Sequence, residues 1–312
     1  MQKMLREPLL SEPDVGLQWL FLKIYTRGFD GADPLVGDLL PPIVAEARAI
    51  GVQRWFFMRY MDLHGPHIRM RVLGRRPVLD HLQRLNRELE SSLDGVLARS
   101  IPTGHVFIAP VNVPMYEGRR GTGIRASIYE PERDKYGGPE GLALAEELFE
   151  FSSDLALWAC GTLAKAPERA GLAALLLHDA ITALLQGPGA ADHGRERIGW
   201  DEYWEQHLNR WTADLGSRAV PVREKMAQVR AERAEHTKQE LLRVRELPAV
   251  EAWRRRWRLS MDSYLDKAGK SSSINRSPQH LVFHQSHMML NRLGFLPREE
   301  AVLGIHARHW SE

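Results

Sequence analysis

The chain has 312 residues, of which 44% are hydrophobic and 26% charged, and a formal net charge of +2. These values are ordinary for folded globular proteins, so they exclude a disordered, fibrous or disulfide-framework class, and the charge is too small to indicate nucleic-acid binding. The length allows one large domain or two closely packed halves.

No segment of the sequence predicts export or membrane insertion. The N-terminal residues contain acids and prolines and lack the apolar run of a signal peptide, and no uncharged apolar stretch approaches the roughly 20 residues that span a bilayer. Cys160 is the only cysteine, which excludes an intramolecular disulfide and suits a reducing compartment. We therefore expect a cytoplasmic protein without membrane contact.

The first third of the chain predicts strands mixed with helices. Residues 19–26 (WLFLKIYT) are rich in β-forming residues, and Asp33 can cap a helical segment that extends to about Ala49. The prolines at 41–42 must kink or restart that helix, because proline has no N–H to donate.

Two further strands form a predicted hairpin. The runs 54–62 (RWFFMRYMD) and 67–74 (HIRMRVLG) flank the turn-prone sequence LHGP. In the second run apolar residues alternate with His67, Arg69 and Arg71, so the three basic side chains share one face of the strand. The ordinary interpretation is a solvent-facing strand. The functional interpretation is that the two arginines form a guanidinium clamp for carboxylates.

The remainder of the chain becomes mostly helical. Residues 77–98 predict a helix, residues 105–111 another strand, and a long helix begins at Pro139. Apolar spacing of three to four residues then predicts helices over about 170–187, 200–215, 221–246, 249–268, 277–293 and 297–309. The polar loop GKSSSINRSP between the fourth and fifth of these resembles a flexible lid. We predict an α+β fold with an N-terminal antiparallel or mixed sheet and helices, then a mostly helical C-terminal half, in one intimately packed unit.

A charged turn precedes the long helix. Glu132, Lys135 and Tyr136 lie just ahead of Gly137 and Gly138. Such a turn is an ordinary connector, but the backbone amides at the following helix N-terminus favour an anion. The turn is therefore a candidate part of an anionic pocket.

The helix that contains HQSHMMLNRLGF carries several polar groups. His287 and Asn291 are four residues apart and align on one side of it. His280 and His284 have a spacing that suits metal ligands, but no third ligand is evident, so a metal site is a minor alternative. The sequence has none of the common motifs of nucleotide-binding proteins, zincins or nucleophile elbows.

Four of these segments together resemble one known family. In order and spacing, WLFLKIY, RWFFMRYMDLHGPHIRMRV, YEPERDKYGG and SHMMLNRLGFLPREEAVL are similar to the C-terminal elimination domain of class I lantibiotic dehydratases, in its stand-alone thiopeptide-type form. The resemblance covers residues 17–309 and leaves 1–16 as an N-terminal extension. It implies a lyase that removes glutamate from glutamylated Ser or Thr side chains of a ribosomally made precursor peptide.

The resemblance also implies the partners. In that family a glutamyl group from glutamyl-tRNA is attached first, and the elimination domain then leaves dehydroalanine or dehydrobutyrine. We therefore expect a leader-bearing precursor peptide as substrate and a separate glutamylating subunit as partner, with no cofactor, no metal, no direct contact with nucleic acid and no membrane.

By the same resemblance, Arg69, Arg71, Glu132 and His287 match catalytic positions of the family. Lys135 stands where the family usually has arginine. Lysine keeps the positive charge but loses the bidentate fork, so we expect this contact to differ from that of its relatives.

The elimination reaction suggests a role for each of these side chains. The arginines would bind the glutamyl group and stabilise the leaving carboxylate, His287 would carry the α-proton, and Glu132 would orient a cation. His67, Tyr136 and Asn291 complete the prediction as substrate-binding residues.

Two alternatives remain open. A thiopeptide pyridine synthase of the same family joins two dehydroalanines in a formal [4+2] cycloaddition and expels the leader peptide, and it needs no glutamate pocket. A non-catalytic scaffold would instead bind the leader as an added strand on an exposed sheet edge.

Overall fold

The computed structural model describes residues 16–26, 31–98, 123–163, 166–188 and 198–310. The strand predicted at 105–111 and nearly all of the N-terminal extension lie outside these ranges.

An antiparallel sheet occupies the N-terminal half. Its strands are β1 (Gln18–Tyr25), β2 (Arg54–Asp62), β3 (Gly65–Gly74) and β4 (Gly123–Ser127). The order across the sheet is β2-β3-β1-β4, and every neighbouring pair is antiparallel. With the helices between β1 and β2 and between β3 and β4, this is the βαββαβ arrangement of ferredoxin-like folds.

Helices make up the rest of the described chain. Those between the strands are α1 (Ala32–Pro34), α2 (Leu40–Ala49), α3 (Arg76–Arg84) and α4 (Asn86–Ala98). Those of the C-terminal half are α5 (Pro139–Thr162), α6 (Ala166–Gln186), α7 (Trp200–Thr212), α8 (Ala219–Glu232), α9 (Ala234–Arg245), α10 (Pro248–Lys270), α11 (Pro278–Leu293) and α12 (Pro297–Arg308). None of the helices in the described ranges is long and apolar enough to cross a membrane.

The predicted helical segments differ from the observed ones at three breaks. Leu35–Leu39 forms a π-helical turn just before the two prolines, whose missing N–H groups prevent a regular α-helix there. The segment predicted at 221–246 is two helices that meet at Arg233, and that at 77–98 is two helices that meet at Leu85. Neither of the last two breaks contains glycine or proline, so the sequence carries no local signal for them.

One core unites the two halves. It runs without interruption from the helix-covered face of the sheet, where Phe57 and Met70 are buried, into the helical half, where Trp257 and Leu290 are buried. The predicted α+β class and the single packed unit are thereby confirmed.

The outer edge of β2 is closed by side chains of the helical half. The N–H of Phe57 donates to Ser153 Oγ at 3.1 Å. Two residues further on, Asn291 accepts from the N–H of Arg59 at 2.9 Å and donates to its carbonyl at 3.0 Å, which copies the pairing of a neighbouring strand. These bonds fix α5 and α11 against the sheet and set the position of the candidate site.

Candidate functional site

The sheet presents one basic face. The register pairs Lys23 with Arg69 and Phe21 with Arg71, so these side chains lie with His67 on the face opposite to α2, α3 and α4. The predicted alternation along β3 is confirmed, because the intervening apolar residues of this strand are buried in the core.

Arg71 is enclosed by aromatic rings. Only 6% of the residue is exposed, and its guanidinium carbon lies 4.9 Å from the ring centre of Phe21, 5.5 Å from that of Phe56 and 4.6 Å from that of Tyr129. Its Nε has no hydrogen-bond partner, and no carboxylate in the described ranges forms an ion pair with it. Burial lowers the pKa of Arg71. The interpretation as a solvent-facing residue is therefore wrong for Arg71.

The carboxylate of Glu146 is held by another group. Tyr129 donates its hydroxyl hydrogen to Glu146 Oε1 at 2.8 Å, and Arg54 lies 3.8 Å from the other carboxylate oxygen. Burial and the neighbouring Glu146 raise the pKa of Tyr129, which keeps this phenol neutral. Glu146 thus bonds to the phenol and acts on Arg71 only through its charge, which raises the pKa of that arginine against the larger effect of burial.

A second buried guanidinium, that of Arg292, was not among the predicted site residues. Arg292 is fully buried; it donates from Nε to Ser153 Oγ at 3.1 Å and from Nη1 to the Met288 carbonyl at 2.9 Å, while Nη2 has no partner among the residues that the structure describes. Burial lowers its pKa to about 9, and the charge of Arg71 adds to this effect. The two buried cations are therefore close enough to repel each other.

Arg69 and His67 support each other on this face, where Arg69 is half-buried and His67 is buried. The guanidinium of Arg69 lies 3.3 Å from the ring centre of Tyr60, and its Nε donates to His67 Nε2 at 3.4 Å. His67 donates from Nδ1 to the Gly65 carbonyl at 3.1 Å, which fixes the tautomer that accepts from Arg69. Burial lowers the pKa of His67, so His67 is a neutral support in this structure.

The charged turn lies beside this face. Residues Arg133–Tyr136 form a short 3-10 helix, in which Lys135 Nζ lies 3.2 Å from Glu132 Oε2. Glu132 is also close enough to raise the pKa of Arg71. Tyr136 is 1% exposed and its hydroxyl has no partner in the described ranges.

The loop after α10 holds this turn in place. Gly137 has φ +83°, and a Cβ there would lie 2.8 Å from Ile274 Cγ2. Arg276 donates to the Asp134 carbonyl at 2.7 Å, and Ser273 donates to Glu140. The loop that the sequence suggested as a flexible lid is thus anchored to the turn.

Histidines of α11 continue the site. His280 donates from Nε2 to the Lys135 carbonyl at 2.9 Å, and its ring centre is 4.4 Å from that of His284. Burial, then the charges of His280 and Lys135, lower the pKa of His284 to about 3, so His284 is neutral at pH 7. No third metal-binding side chain joins the two histidines among the residues that the structure describes.

His287 lies one turn further along α11. Its Nδ1 is 2.9 Å from Glu300 Oε1, its ring centre is 5.0 Å from that of Trp211, and its side chain is 26% exposed. It is also close enough to His284 to lower the pKa of that histidine.

The structure thus connects most of the predicted residues through a series of neighbouring groups. Glu132 links Arg71 to Lys135, and the carbonyl of Lys135 leads to the histidines that precede His287 on α11. The Asn291 side chain differs from these groups, because its amide oxygen and its amide nitrogen both form hydrogen bonds with the backbone of Arg59 in β2. Buried cations and a partly exposed histidine are suited to bind an anionic group and to move a proton.

Comparison with known protein families identifies one family for this chain. The profile described as lantibiotic biosynthesis dehydratase C-term matches residues 19–310. No curated protein matches the chain.

Three solved structures share the fold. The tRNA dependent lantibiotic dehydratase MibB from Microbispora sp. 107891 has 22% identity and a TM-score of 0.54, with 96% of this chain and 28% of MibB covered. The pyridine synthase TbtD from thiomuracin biosynthesis has 18% identity and a TM-score of 0.65, with 93% and 96% covered. TsrL has 18% identity and a TM-score of 0.60, with 94% of each chain covered. The chain therefore spans little more than a quarter of MibB and nearly all of the other two.

Proposed function

The chain belongs to the family of lantibiotic biosynthesis dehydratase C-terminal domains, and from this premise we propose that it eliminates glutamate from glutamylated Ser or Thr side chains of a ribosomal precursor peptide. The products are dehydroalanine and dehydrobutyrine residues in a thiopeptide-like pathway. The protein is then a lyase that acts after a separate glutamylating subunit, on a peptide that carries a leader.

The observation that carries this proposal is the burial of the Arg71 guanidinium without an ion pair to any carboxylate of the described residues. A buried guanidinium without a carboxylate partner is costly, and an anion that enters its surroundings offsets that cost. The glutamyl group brings a free carboxylate, which the planar fork of arginine binds with two hydrogen bonds. The neighbouring charge of Arg292 adds to the attraction.

The remaining groups supply the chemistry. His287 removes the proton from Cα of the modified residue, the C–H electron pair forms the Cα=Cβ bond, and the Cβ–O bond breaks to release glutamate as a carboxylate. Arg69 and Lys135 stabilise negative charge on the enolate and on the leaving group. Glu132, in its ion pair with Lys135, positions that cation.

The test is mass spectrometry of a purified, pre-glutamylated precursor peptide that is incubated with this protein alone, without tRNA or ATP. We expect dehydroamino acids and free glutamate in equal amounts. The variants Arg71→Ala and His287→Ala should lose about 100-fold or more in rate, while Arg48→Ala, which changes an exposed ion pair, should retain the wild-type rate. Unchanged rates in the first two variants would contradict the assigned roles.

A second candidate function is the formal [4+2] cycloaddition of two dehydroalanines with loss of the leader peptide. It is favoured by the end-to-end correspondence with the pyridine synthase TbtD, of which 96% is covered. A fully dehydrated peptide has no glutamyl carboxylate to neutralise Arg71, which favours elimination. If glutamylated peptide is unchanged while dehydrated peptide loses its leader and gains a pyridine, the second function replaces the first.

A third candidate is a non-catalytic scaffold for the leader peptide. Binding of leader peptide without turnover of either substrate would support the scaffold alone.

A further inference from the structure

His287 on α11 faces a buried carboxylate on the next helix. We propose that Glu300 is a positioning residue, which holds the proton of His287 on Nδ1 and leaves the Nε2 lone pair free to accept the substrate α-proton. The role of His287 rests on the proposed function, whereas its orientation by Glu300 is independent of it.

The Glu300 carboxylate contacts the imidazole of His287 with both of its oxygens. Both oxygens of Glu300 lie near His287 Nδ1, at 2.9 and 3.2 Å, and Glu300 is 1% exposed. His287 is the only side chain in the described ranges that bonds to this carboxylate. A carboxylate with so little exposure requires a partner, and an Nδ1–H donor supplies it.

The start of α12 fixes the carboxylate in this position. Glu299 accepts from the N–H of Leu296 at 2.8 Å, which caps the first turn of the helix, and the N–H of Glu300 donates to the Leu296 carbonyl at 2.9 Å. Burial raises the pKa of Glu300, whereas the adjacent His287 and the positive end of the helix dipole favour its ionised form.

The other side of the imidazole is held by α7. The Trp211 ring lies 5.0 Å from that of His287, and its Nε1 donates to His207 Nε2 at 3.1 Å. Burial, then the neighbouring His287, lower the pKa of His207 to about 3, so His207 stays neutral and does not compete for Glu300. A Cβ at Gly304 would lie 2.5 Å from the His207 ring, so α12 and α7 approach closely at this point.

The arrangement distinguishes His287 from His284 on the same helix. The Nδ1 of His284 is buried without a partner in the described part of the chain, and burial, then the charges of His280 and Lys135, lower the pKa of His284 to about 3. In His287, by contrast, Nδ1 contacts the carboxylate of Glu300, and the ring is partly exposed. When Nε2 takes the α-proton, Glu300 stays ionised and stabilises the imidazolium, as a buried acid does for histidine in hydrolytic triads.

The first test reads the tautomer and needs no substrate. Long-range ¹H–¹⁵N spectra of the full chain, labelled at histidine, show which nitrogen of each imidazole carries the proton, and His287→Gln identifies the His287 signal. We expect the proton on Nδ1 in the wild type. In Glu300→Gln the amide N–H donates to Nδ1, and the proton of His287 moves to Nε2.

The matched control is Glu299→Gln, which changes a carboxylate in the same helical turn and can still cap Leu296 through its amide oxygen. It should leave the His287 signal unchanged. A wild-type proton on Nε2, or a proton that stays on Nδ1 in Glu300→Leu, whose side chain cannot accept a hydrogen bond, would overturn the proposal. Should Glu300→Gln not fold, Glu300→Asp keeps the charge and should show a mixture of the two tautomers.

The second test measures turnover of pre-glutamylated peptide. We expect Glu300→Gln to lower kcat by roughly 100-fold or more with little change in KM, because the residue does not touch the substrate. A wild-type kcat in a variant whose His287 tautomer has moved would overturn the assigned role. If the wild type itself eliminates nothing, the proposed function fails, while the tautomer spectra still decide whether Glu300 orients His287.

Discussion

Arg71 and Tyr129 are in face-to-charge contact, with the guanidinium carbon 4.6 Å from the ring centre, and the hydroxyl of the same tyrosine is bonded to Glu146. The tyrosine therefore holds the Glu146 carboxylate by a hydrogen bond, and Glu146 acts on Arg71 through its charge without forming an ion pair with it. Because Arg71 forms no ion pair with the described residues, its guanidinium can bind the carboxylate of a ligand.

The first prediction concerns the geometry of that cation. Arg71→Lys keeps the charge but removes the planar fork and its stacking on the three rings, so we expect elimination from glutamylated peptide to fall by about 100-fold. The measurement is the initial rate of dehydroamino acid formation by mass spectrometry. Arg48→Lys, at an exposed ion pair with Asp154, is the matched control and should keep the wild-type rate. Equal rates in the two variants would contradict the clamp.

The second prediction concerns Asn291 and stability. Asn291→Ala leaves the N–H and carbonyl of Arg59 without partners at the edge of β2, which should lower the free energy of unfolding by about 1–3 kcal/mol. Urea denaturation measures this value. Asn209→Ala, at an exposed position of α7, should change it by less than about 0.5 kcal/mol. A raised KM in Asn291→Ala without loss of stability would instead support the substrate-binding role predicted from the sequence.

The third prediction is a dependence of stability on pH that arises from His207. Burial lowers its pKa to about 3 in the folded protein, whereas the unfolded chain takes up the proton near the ordinary value of 6.5. The unfolded state therefore binds more protons as the pH falls below 6.5, and stability is lost towards pH 3. Between pH 7.5 and 5.5 this histidine should account for about 1.4 kcal/mol of the loss.

The comparison variant for this effect is His207→Gln, in which Trp211 can still donate to an amide oxygen. Its free energy of unfolding, measured by urea denaturation at the two pH values, should fall by less than that of the wild type. Equal losses in both proteins would show that His207 is not the group responsible.

The fourth prediction concerns the turn that carries Lys135. Gly137 has φ +83°, and a Cβ would meet Ile274 at 2.8 Å, so Gly137→Ala should cost about 1–3 kcal/mol and shift Lys135 relative to α11. Thermal unfolding measures the cost, and the elimination rate reports the shift. Gly95→Ala is the control, since Gly95 lies inside α4 and its Cβ would meet no atom within 4 Å. A stable, fully active Gly137→Ala protein would contradict the anchoring of this turn.

The features that sequence predicted well are those that depend on local periodicity. Alternation along β3 placed Arg69 and Arg71 on one face, and the apolar spacing of α11 placed His287 on a helix. Both patterns are fixed by the geometry of a single element, so they can be read without knowledge of its neighbours.

The features that sequence could not predict depend on contacts between distant segments. Arg71 was equally compatible with a solvent-facing position, because nothing in β3 shows that the Tyr129 segment and α5 cover it. Arg292 follows Asn291 directly in the chain, and only the packing of α11 on α5 buries its charge. Glu300 lies 13 residues after its partner His287, at a helix start that the spacing predicts, but the angle between the two helices cannot be derived from that spacing.

The closure of β2 by Asn291 and Ser153 also bears on solubility. An open strand edge can recruit a strand from another chain, and natural sheets usually block this with charge, bulges or a covering element. Here two polar side chains from the helical half fill the hydrogen-bonding positions of the missing neighbour. Loss of either side chain would lower stability and would also expose a strand edge that can pair with another chain. Variants at these positions should therefore be compared at low protein concentration, where self-association does not obscure a catalytic defect.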